Sequence, residues 1–342
     1  MKNKSHIQPK TLSIITTYQC TATCEDCCFH CNPLRKERLT VGQVENFVKQ
    51  VKSVYPSITH AVLTGGECFV LGEDLYKMID LLHTHDFSIR IVTNAFWANS
   101  LTKTKAVIER LQSVGVSELN FSTGDNHQCW VPLDNVVNAV VCAIEAGIHV
   151  AVNIETHRDF SFSAKQFYAH KDIERYKDSP LLKVISGQWL KSSDKNDAVP
   201  SVGIPVLRNG RCKYLFDTIT LSPNNELFSC CGLTLLDHNY LNLGIVGQND
   251  LETIWEGQFD DFIKIWLFAE GPGKILSFAH TQDPTINIGN EREHTCEKCS
   301  RILSNPKILK VLRDSYQNVL PRVLIEYHTL LNVLHHLKPT KS

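Results

Sequence analysis

The chain has almost no net charge: over 342 residues, 35 Lys and Arg stand against 36 Asp and Glu. A protein that grips a phosphate backbone shows a basic excess or a basic stripe, so nucleic acid is not the expected partner. Long apolar runs are missing as well. The most apolar window, 136–154, is interrupted by Asn138, Glu145, Gly147, His149 and Asn153, which is too polar for a membrane span. No secretory signal stands at the front, where MKNKSHIQPK is polar and basic with no apolar stretch behind it. Solenoid repeats and low-complexity tracts are absent too. What remains is a globular chain expected in the cytoplasm, away from membranes.

Cysteine, by contrast, is plentiful, with thirteen in the chain. In a reducing compartment so many point to metal binding or catalysis rather than to a disulfide framework. Five lie within 20–31, and five more are Cys212, Cys230, Cys231, Cys296 and Cys299.

Hydrophobic periodicity places these groups on a fold. Residues 11–17 read as a buried strand that runs into the first cysteine group. Thr40 reads as the N-cap of a helix over 41–54, with Val44, Phe47, Val48 and Val51 on one face. Strands follow at 58–64, 88–93, 118–123, 149–155 and 181–186, separated by helices at 73–85, 102–114, 133–146 and 163–171. Six strands alternating with helices predict an α/β fold, a partial (β/α)6 barrel with chemistry at the carboxyl ends of its strands. Beyond it, 191–211 reads as a linker or lid, and 214–221 and 226–229 as two short strands around the turn Ser222-Pro223-Asn224-Asn225. A helical pattern returns over 250–269, and 306–337 reads as two helices split at Pro321. Their apolar faces, with Leu309, Leu312, Leu324, Tyr327 and Leu331, are expected to cover one end of the barrel.

Cys20, Cys24 and Cys27 form a C-x3-C-x2-C run directly after the first strand. Thiolates at such offsets converge on one soft metal centre. Three protein ligands on a four-iron cluster leave one iron open. The run resembles that of the radical S-adenosylmethionine (SAM) superfamily, where the open iron binds the amino and carboxylate groups of SAM. The resemblance implies reductive cleavage of SAM to a 5′-deoxyadenosyl radical that takes hydrogen from a substrate carbon. Gly65-Gly66-Glu67, after the second strand, looks like that superfamily's GGE motif, which meets the SAM amino group through backbone carbonyls and the acidic side chain. Ser122, Asp125 and Asn153 occupy places where relatives bind the ribose or carboxylate of SAM. One departure is Asp26, which stands where an aromatic residue near adenine is usual; Phe29 is the available substitute. The competing reading is a zinc site using four of Cys20, Cys24, Cys27, Cys28 and Cys31.

The second cysteine set resembles the Twitch domain, the abbreviated relative of the SPASM domain. By that likeness Cys212, Cys230, Cys296 and Cys299 hold an auxiliary [4Fe-4S] cluster; a zinc ribbon with the same sulfurs is the alternative. Cys231 is left over, either a hydrogen-atom donor to a substrate radical or a small buried hydrophobe. Asp125 and His127 lie just past the fourth strand, where His127 is either an acid or base near neutral pH or a surface hydrogen-bonding group. The expected domains are 11–190 (radical SAM partial barrel), 191–304 (auxiliary iron–sulfur domain, α+β) and 305–342 (C-terminal helical extension).

The resemblance implies SAM, two [4Fe-4S] clusters and a flavodoxin- or ferredoxin-type reductant. Two reactions fit. One modifies a ribosomally made peptide by epimerisation, crosslinking or oxidation; the other dehydrogenates a small-molecule alcohol in natural-product biosynthesis. A zinc-binding interaction scaffold is a distant third. Because the barrel begins by residue 11, no fused leader-peptide recognition domain is expected ahead of it.

Overall fold

In the computed structural model, which describes residues 7–156, 161–190, 210–289 and 293–336, six parallel strands stand in chain order. They are β1 (Thr11–Ile15), β2 (His60–Thr64), β3 (Ser88–Thr93), β4 (Val116–Thr123), β5 (His149–Thr156) and β6 (Leu182–Gln188). Each neighbouring pair is parallel, and β1 and β6 do not pair with each other, as a partial barrel requires. Between the strands run α1 (Val41–Val54), α2 (Glu73–Thr84), α3 (Leu101–Ser113), the single turn α4 (Asp125–Gln128), α5 (Leu133–Glu145) and α6 (Ala164–Tyr168).

Local chemistry explains these elements. Thr40 opens α1 with a capping box: its hydroxyl accepts from Gln43 N at 3.2 Å while the Gln43 carboxamide accepts from Thr40 N at 2.8 Å. Val44, Phe47, Val48 and Val51 then fall on one buried face, the three-and-four spacing of a helix laid on a sheet. Strands covered on both faces carry apolar residues almost without a break, and Leu12, Ile14 and Ile15 of β1 are fully buried.

The chain divides into two compact units. The first, Lys10–Asp197 with Thr220–Glu226, holds the six strands; the second comprises Met1–Pro9, Ala198–Ile219 and Leu227–Ser342. The three remaining strands are β7 (Thr218–Leu221), β8 (Glu226–Phe228) and β9 (Asn242–Ile245), neighbours in that order. Next come α7 (Leu251–Glu256), α8 (Phe262–Ala269), α9 (Pro272–Gln282), α10 (Thr295–Leu303), α11 (Pro306–Ser315) and α12 (Leu320–His336). Among the described residues no helix is long and apolar enough to cross a membrane.

Several expected elements differ. The strand predicted over 214–221 shrinks to β7, because Asp217 N and Thr218 N both turn back onto Tyr214 O at 3.2 Å, with Phe216 at φ +67°. The helix predicted over 250–269 is two helices: Asp261 recaps the chain, its carboxylate accepting from Ile263 N and Lys264 N at 2.9 and 3.3 Å. Pro321 does not split the last segment; the break falls over Tyr316–Asn318, and Pro321 sits in the first turn of α12, where its missing N–H costs nothing. Helices α9 and α10 were not expected at all. Of the linker at 191–211, all but the last two residues lie outside the described residues.

Helix α12 lays Val323, Tyr327 and Leu331 inward and packs along α8 in its own unit. A carboxylate fixes that pairing. Glu270, at the C-terminal end of α8 where negative charge is disfavoured, is only 3% exposed and accepts from Arg322 Nε at 2.9 Å and from Trp266 Nε1 at 2.8 Å. Arg322→Met should therefore strand a buried anion. The expected loss is about 2 kcal/mol in urea unfolding, below the usual cost of breaking a buried pair because the Arg322 side chain is 61% exposed.

Candidate functional site

The register that sets Ile15 opposite Thr64 sends two segments out of the sheet side by side, Thr16–Cys20 and Gly65–Glu67. They are stitched together by backbone: Gly66 N donates to Thr17 O at 2.7 Å and Glu67 N to Gln19 O at 2.9 Å. A Cβ on Gly65 would strike the Thr17 carbonyl, and one on Gly66 the Gln19 carbonyl. The two glycines, expected to permit close backbone approach by a ligand, also make room for the backbone that delivers Cys20.

Glu67 is fully buried. Its carboxylate accepts from Phe69 N at 3.1 Å, from Asn94 N at 2.8 Å, and from the Thr93 hydroxyl at 2.9 and 3.0 Å to its two oxygens. The acidic side chain thus binds the end of β2 to the end of β3. Burial pushes its carboxyl from 4.5 up to about 7, with the Asn94, Phe69 and Thr93 donors and nearby His127 pulling the other way. Asn94 continues the connection, its amide reaching Cys20 Sγ at 3.8 Å and the Thr21 hydroxyl at 3.1 Å. Phe69 and Trp97, stacked at 4.7 Å, flank this junction, and Trp97 Nε1 donates to the Thr93 hydroxyl at 3.1 Å. This aromatic pair was missed in the sequence; Phe29 lies half-buried on the cysteine loop.

In that loop Cys20, Cys24 and Cys27 are half-buried and Cys31 is buried. Backbone N–H groups already point at sulfur, from Ala22 to Cys20 and from Cys31 to Cys27, each at 3.4 Å. Burial pushes Cys20 up to about 11, with Glu67 and Cys27 adding to it, and Cys24 up to about 12, with Cys27 and Cys20 adding to it. Cys27 moves the other way, to about 6, chiefly because the Cys31 side chain hydrogen-bonds it.

At the ends of β4 and β5, Ser122 pairs in register with Asn153, whose amide donates to Asn120 Oδ1 at 2.7 Å. Asp125 is engaged elsewhere: its carboxylate takes Ser161 N and the Ser161 hydroxyl, both at 2.6 Å, and Phe162 N at 3.2 Å. It anchors the loop after β5. His127 is not a surface residue, being only 8% exposed. Its Nδ1 lies 2.9 Å from Glu155 Oε2, and its backbone N donates to Oε1 of the same carboxylate at 3.1 Å. Trp189 meets the imidazole edge-on at 4.9 Å. Gly124 leaves the space that the Glu155 carboxylate fills, since a Cβ there would overlap it. Glu155 escaped the sequence reading because its partner lies 28 positions away. A buried carboxylate beside Nδ1 orients the imidazole.

The second cysteine set lies within the second unit. Cys296 and Cys299 are three apart in the first turns of α10, hence on one face. Gly232 nestles between two sulfurs: its Cβ would sit 3.3 Å from Cys296 Sγ and 3.6 Å from Cys230 Sγ. Thr234 donates to Cys296 O at 3.2 Å, and Gly232 N reaches Cys230 Sγ at 3.5 Å. Burial raises the Cys212 thiol, lifts Cys230 and Cys299 well above their ordinary value, and pushes Cys296 up to about 12. Cys231 bonds Thr218 and is pushed by burial to about 11. Of the others, Cys68 and Cys142 are buried, and Cys129 is exposed. Among the described residues no three His, Cys, Asp or Glu side chains close on a single ion-sized point.

Glu67 supplies a pH test. Folding raises its pKa, so between about 4.5 and about 7 the folded chain keeps a proton that the unfolded chain has released. This group's contribution to stability therefore falls as pH rises through that window. Thr93→Val removes a donor that matters most to the ionised carboxylate. Its destabilisation should be larger at pH 8 than at pH 5 by about 1 kcal/mol, read from denaturant melts at both pH values.

No protein-family model matches the chain. A curated relative, the putative peptide biosynthesis protein YydG of Bacillus subtilis (strain 168), is 26% identical over 129 residues, 38% of this chain and 40% of that protein. The chain thus matches about two-fifths of the length of that relative. Among solved structures, SuiB of Streptococcus suis bound to the precursor peptide SuiA superposes with a TM-score of 0.58 at 15% identity, over 85% of this chain and 76% of that one. Native anSMEcpe with bound AdoMet and Cp18Cys peptide superposes with a TM-score of 0.55 at 12% identity, over 94% of this chain and 99% of that one. At such identities the likeness is one of fold. The chain thus shares the fold of SuiB and anSMEcpe, and it carries a three-cysteine run and a Gly-Gly-Glu at adjoining strand ends.

Proposed function

We propose that the protein is a radical SAM enzyme that modifies a ribosomally made peptide. The observation that carries the proposal is the splice of Gly65–Glu67 onto Thr17–Gln19, which holds three half-buried thiols beside a glycine-rich strand end. Cys20, Cys24 and Cys27 would hold a [4Fe-4S] cluster, and Gly65, Gly66, Ser122 and Asn153 would receive SAM. Glu67 and Asp125, expected at SAM as well, support that site through the contacts they make with the chain. When bound, the cluster and SAM supply a 5′-deoxyadenosyl radical that takes hydrogen from a substrate carbon. The donor set fits. Its sulfurs already accept N–H hydrogen bonds, which stabilise thiolate ligands.

The peptide as substrate is supported by the relatives, whose names speak of peptide biosynthesis, a precursor peptide and a bound peptide. His127, fixed by Glu155, is the group placed to hold or accept a proton in the barrel mouth. Cys231, a protonated thiol near neutral pH, has the state a hydrogen donor needs. The second set, Cys212, Cys230, Cys296 and Cys299, would hold an auxiliary [4Fe-4S] cluster. The barrel over 11–190, the auxiliary domain over 191–304 and the extension over 305–342 divide these tasks, and a flavodoxin- or ferredoxin-type reductant in the cytoplasm would supply electrons.

Anaerobic reconstitution tests this. Loaded protein should carry about eight irons and as many sulfides per chain, and release 5′-deoxyadenosine from SAM under dithionite. Replacing Cys20, Cys24 and Cys27 together by Ala should abolish that release and leave about four irons. Protein that takes up zinc but no iron, or that binds iron and never cleaves SAM, would overturn the proposal.

A further inference from the structure

Asn94, the first residue past β3, is only 6% exposed, and both ends of its side-chain amide have partners. Its Oδ1 accepts from Phe96 N at 3.0 Å. Exchanging the two ends would turn the NH2 group onto that N–H, donor against donor, so the hydrogen-bond pattern fixes Nδ2 on the opposite side. There Nδ2 donates to the Thr21 hydroxyl at 3.1 Å and reaches Cys20 Sγ at 3.8 Å, a length that suits the larger sulfur atom. An NH2 group carries two hydrogens, one for each acceptor.

The backbone holds this amide in place as well. Asn94 N donates to Glu67 Oε2 at 2.8 Å, and the Thr93 hydroxyl bonds both oxygens of the same carboxylate. The donor is thus fixed by Glu67 and Phe96 together, with no rearrangement needed to meet the sulfur. Cys20 Sγ also accepts from Ala22 N at 3.4 Å. A simple tie between β3 and the cysteine loop would need only the Thr21 bond. The second hydrogen falls on a sulfur read as an iron ligand.

We infer that Asn94 is a positioning residue for the first cluster, its amide donating to the Cys20 thiolate and so raising the reduction potential of the cluster. The inference rests on the reading of Cys20, Cys24 and Cys27 as cluster ligands. Hydrogen bonds to ligand sulfur are among the levers that set such potentials. A donor stabilises the state with more negative charge on sulfur, which is the reduced one. Loss of the donor therefore moves the potential downward.

The test uses the full chain, loaded with iron and sulfide under anaerobic conditions. The EPR signal of the first cluster is the part that is missing when Cys20, Cys24 and Cys27 are all replaced by Ala. Asn94→Ser draws the side chain away from the sulfur. Asn94→Asp keeps the shape and the bond from Phe96 N but turns an acceptor toward Cys20, and Thr21→Val removes the neighbouring bond alone. At a fixed solution potential, Asn94→Ser should lower the ratio of reduced to oxidised first cluster about fivefold, the worth of one hydrogen bond. Asn94→Asp should lower it further, and Thr21→Val should leave it at the parent's value. A second measurement leaves the site unaltered: parent protein made with asparagine carrying heavy nitrogen in its side-chain amide should show a nitrogen coupling to the reduced first cluster in pulsed EPR. That coupling decides the matter should the Asn94 variants fail to hold a cluster. An unchanged ratio in both Asn94 variants would sink the inference, as would a labelled parent without the coupling. Equal shifts in Asn94→Ser and Thr21→Val would sink it too, since they mark a role in loop shape alone. A parent that takes up no iron at Cys20, Cys24 and Cys27 fails separately, refuting the cluster reading itself.

Discussion

The geometry of the barrel mouth depends on one backbone contact, the seating of Gly65–Glu67 against Thr17–Gln19. Two N–H···O bonds are involved, at 2.7 and 2.9 Å, and neither glycine tolerates a methyl group there. Glu67 then ties the same strand end to β3 through Thr93 and Asn94. Three loops that would otherwise leave the sheet independently are thereby held as one rigid rim, and Cys20 hangs from it. The cost is a buried carboxylate, offset by the hydrogen bonds converging on its two oxygens.

Much of this was legible in the sequence because the signals were local. Thr40 and Gln43 spell a capping box three residues apart, and α1 begins where they say. The six strands follow from runs of Val, Ile and Leu, and β3 was read to the residue, Ser88–Thr93. Thiol spacing and the Gly-Gly-Glu could be seen without any structure. What escaped was carried by contacts between distant residues. Glu155 looks like an isolated acid at the end of an apolar strand, and only the fold brings His127 to it. Asp125 gives no local sign of its bonds to Ser161 and Phe162, which only the fold brings to it. Helices α9 and α10 were missed because their starts use unusual signals, a glycine before Pro272 and an imidazole cap from His294.

The two units treat their ionisable groups differently. In the first, buried carboxylates receive several donors each, so charge is stabilised by fixed dipoles: Glu67 by Phe69, Thr93 and Asn94, Glu155 by both nitrogens that His127 offers. In the second, Glu270 is met by Arg322 and Trp266, while burial raises the thiols of Cys212, Cys230, Cys296 and Cys299.

That contrast bears on how each cysteine set fares before metal arrives. A thiol that stays protonated is a poor nucleophile and reacts slowly with oxidants and alkylating agents. Cys230, Cys296 and Cys299, pushed upward by burial, can therefore wait unharmed in a newly made chain. Cys27 is instead drawn down to about 6 by its bond from Cys31. Of the two sets, the first is therefore the one drawn toward the thiolate form, and the one whose loop is more open to oxidation while it holds no metal.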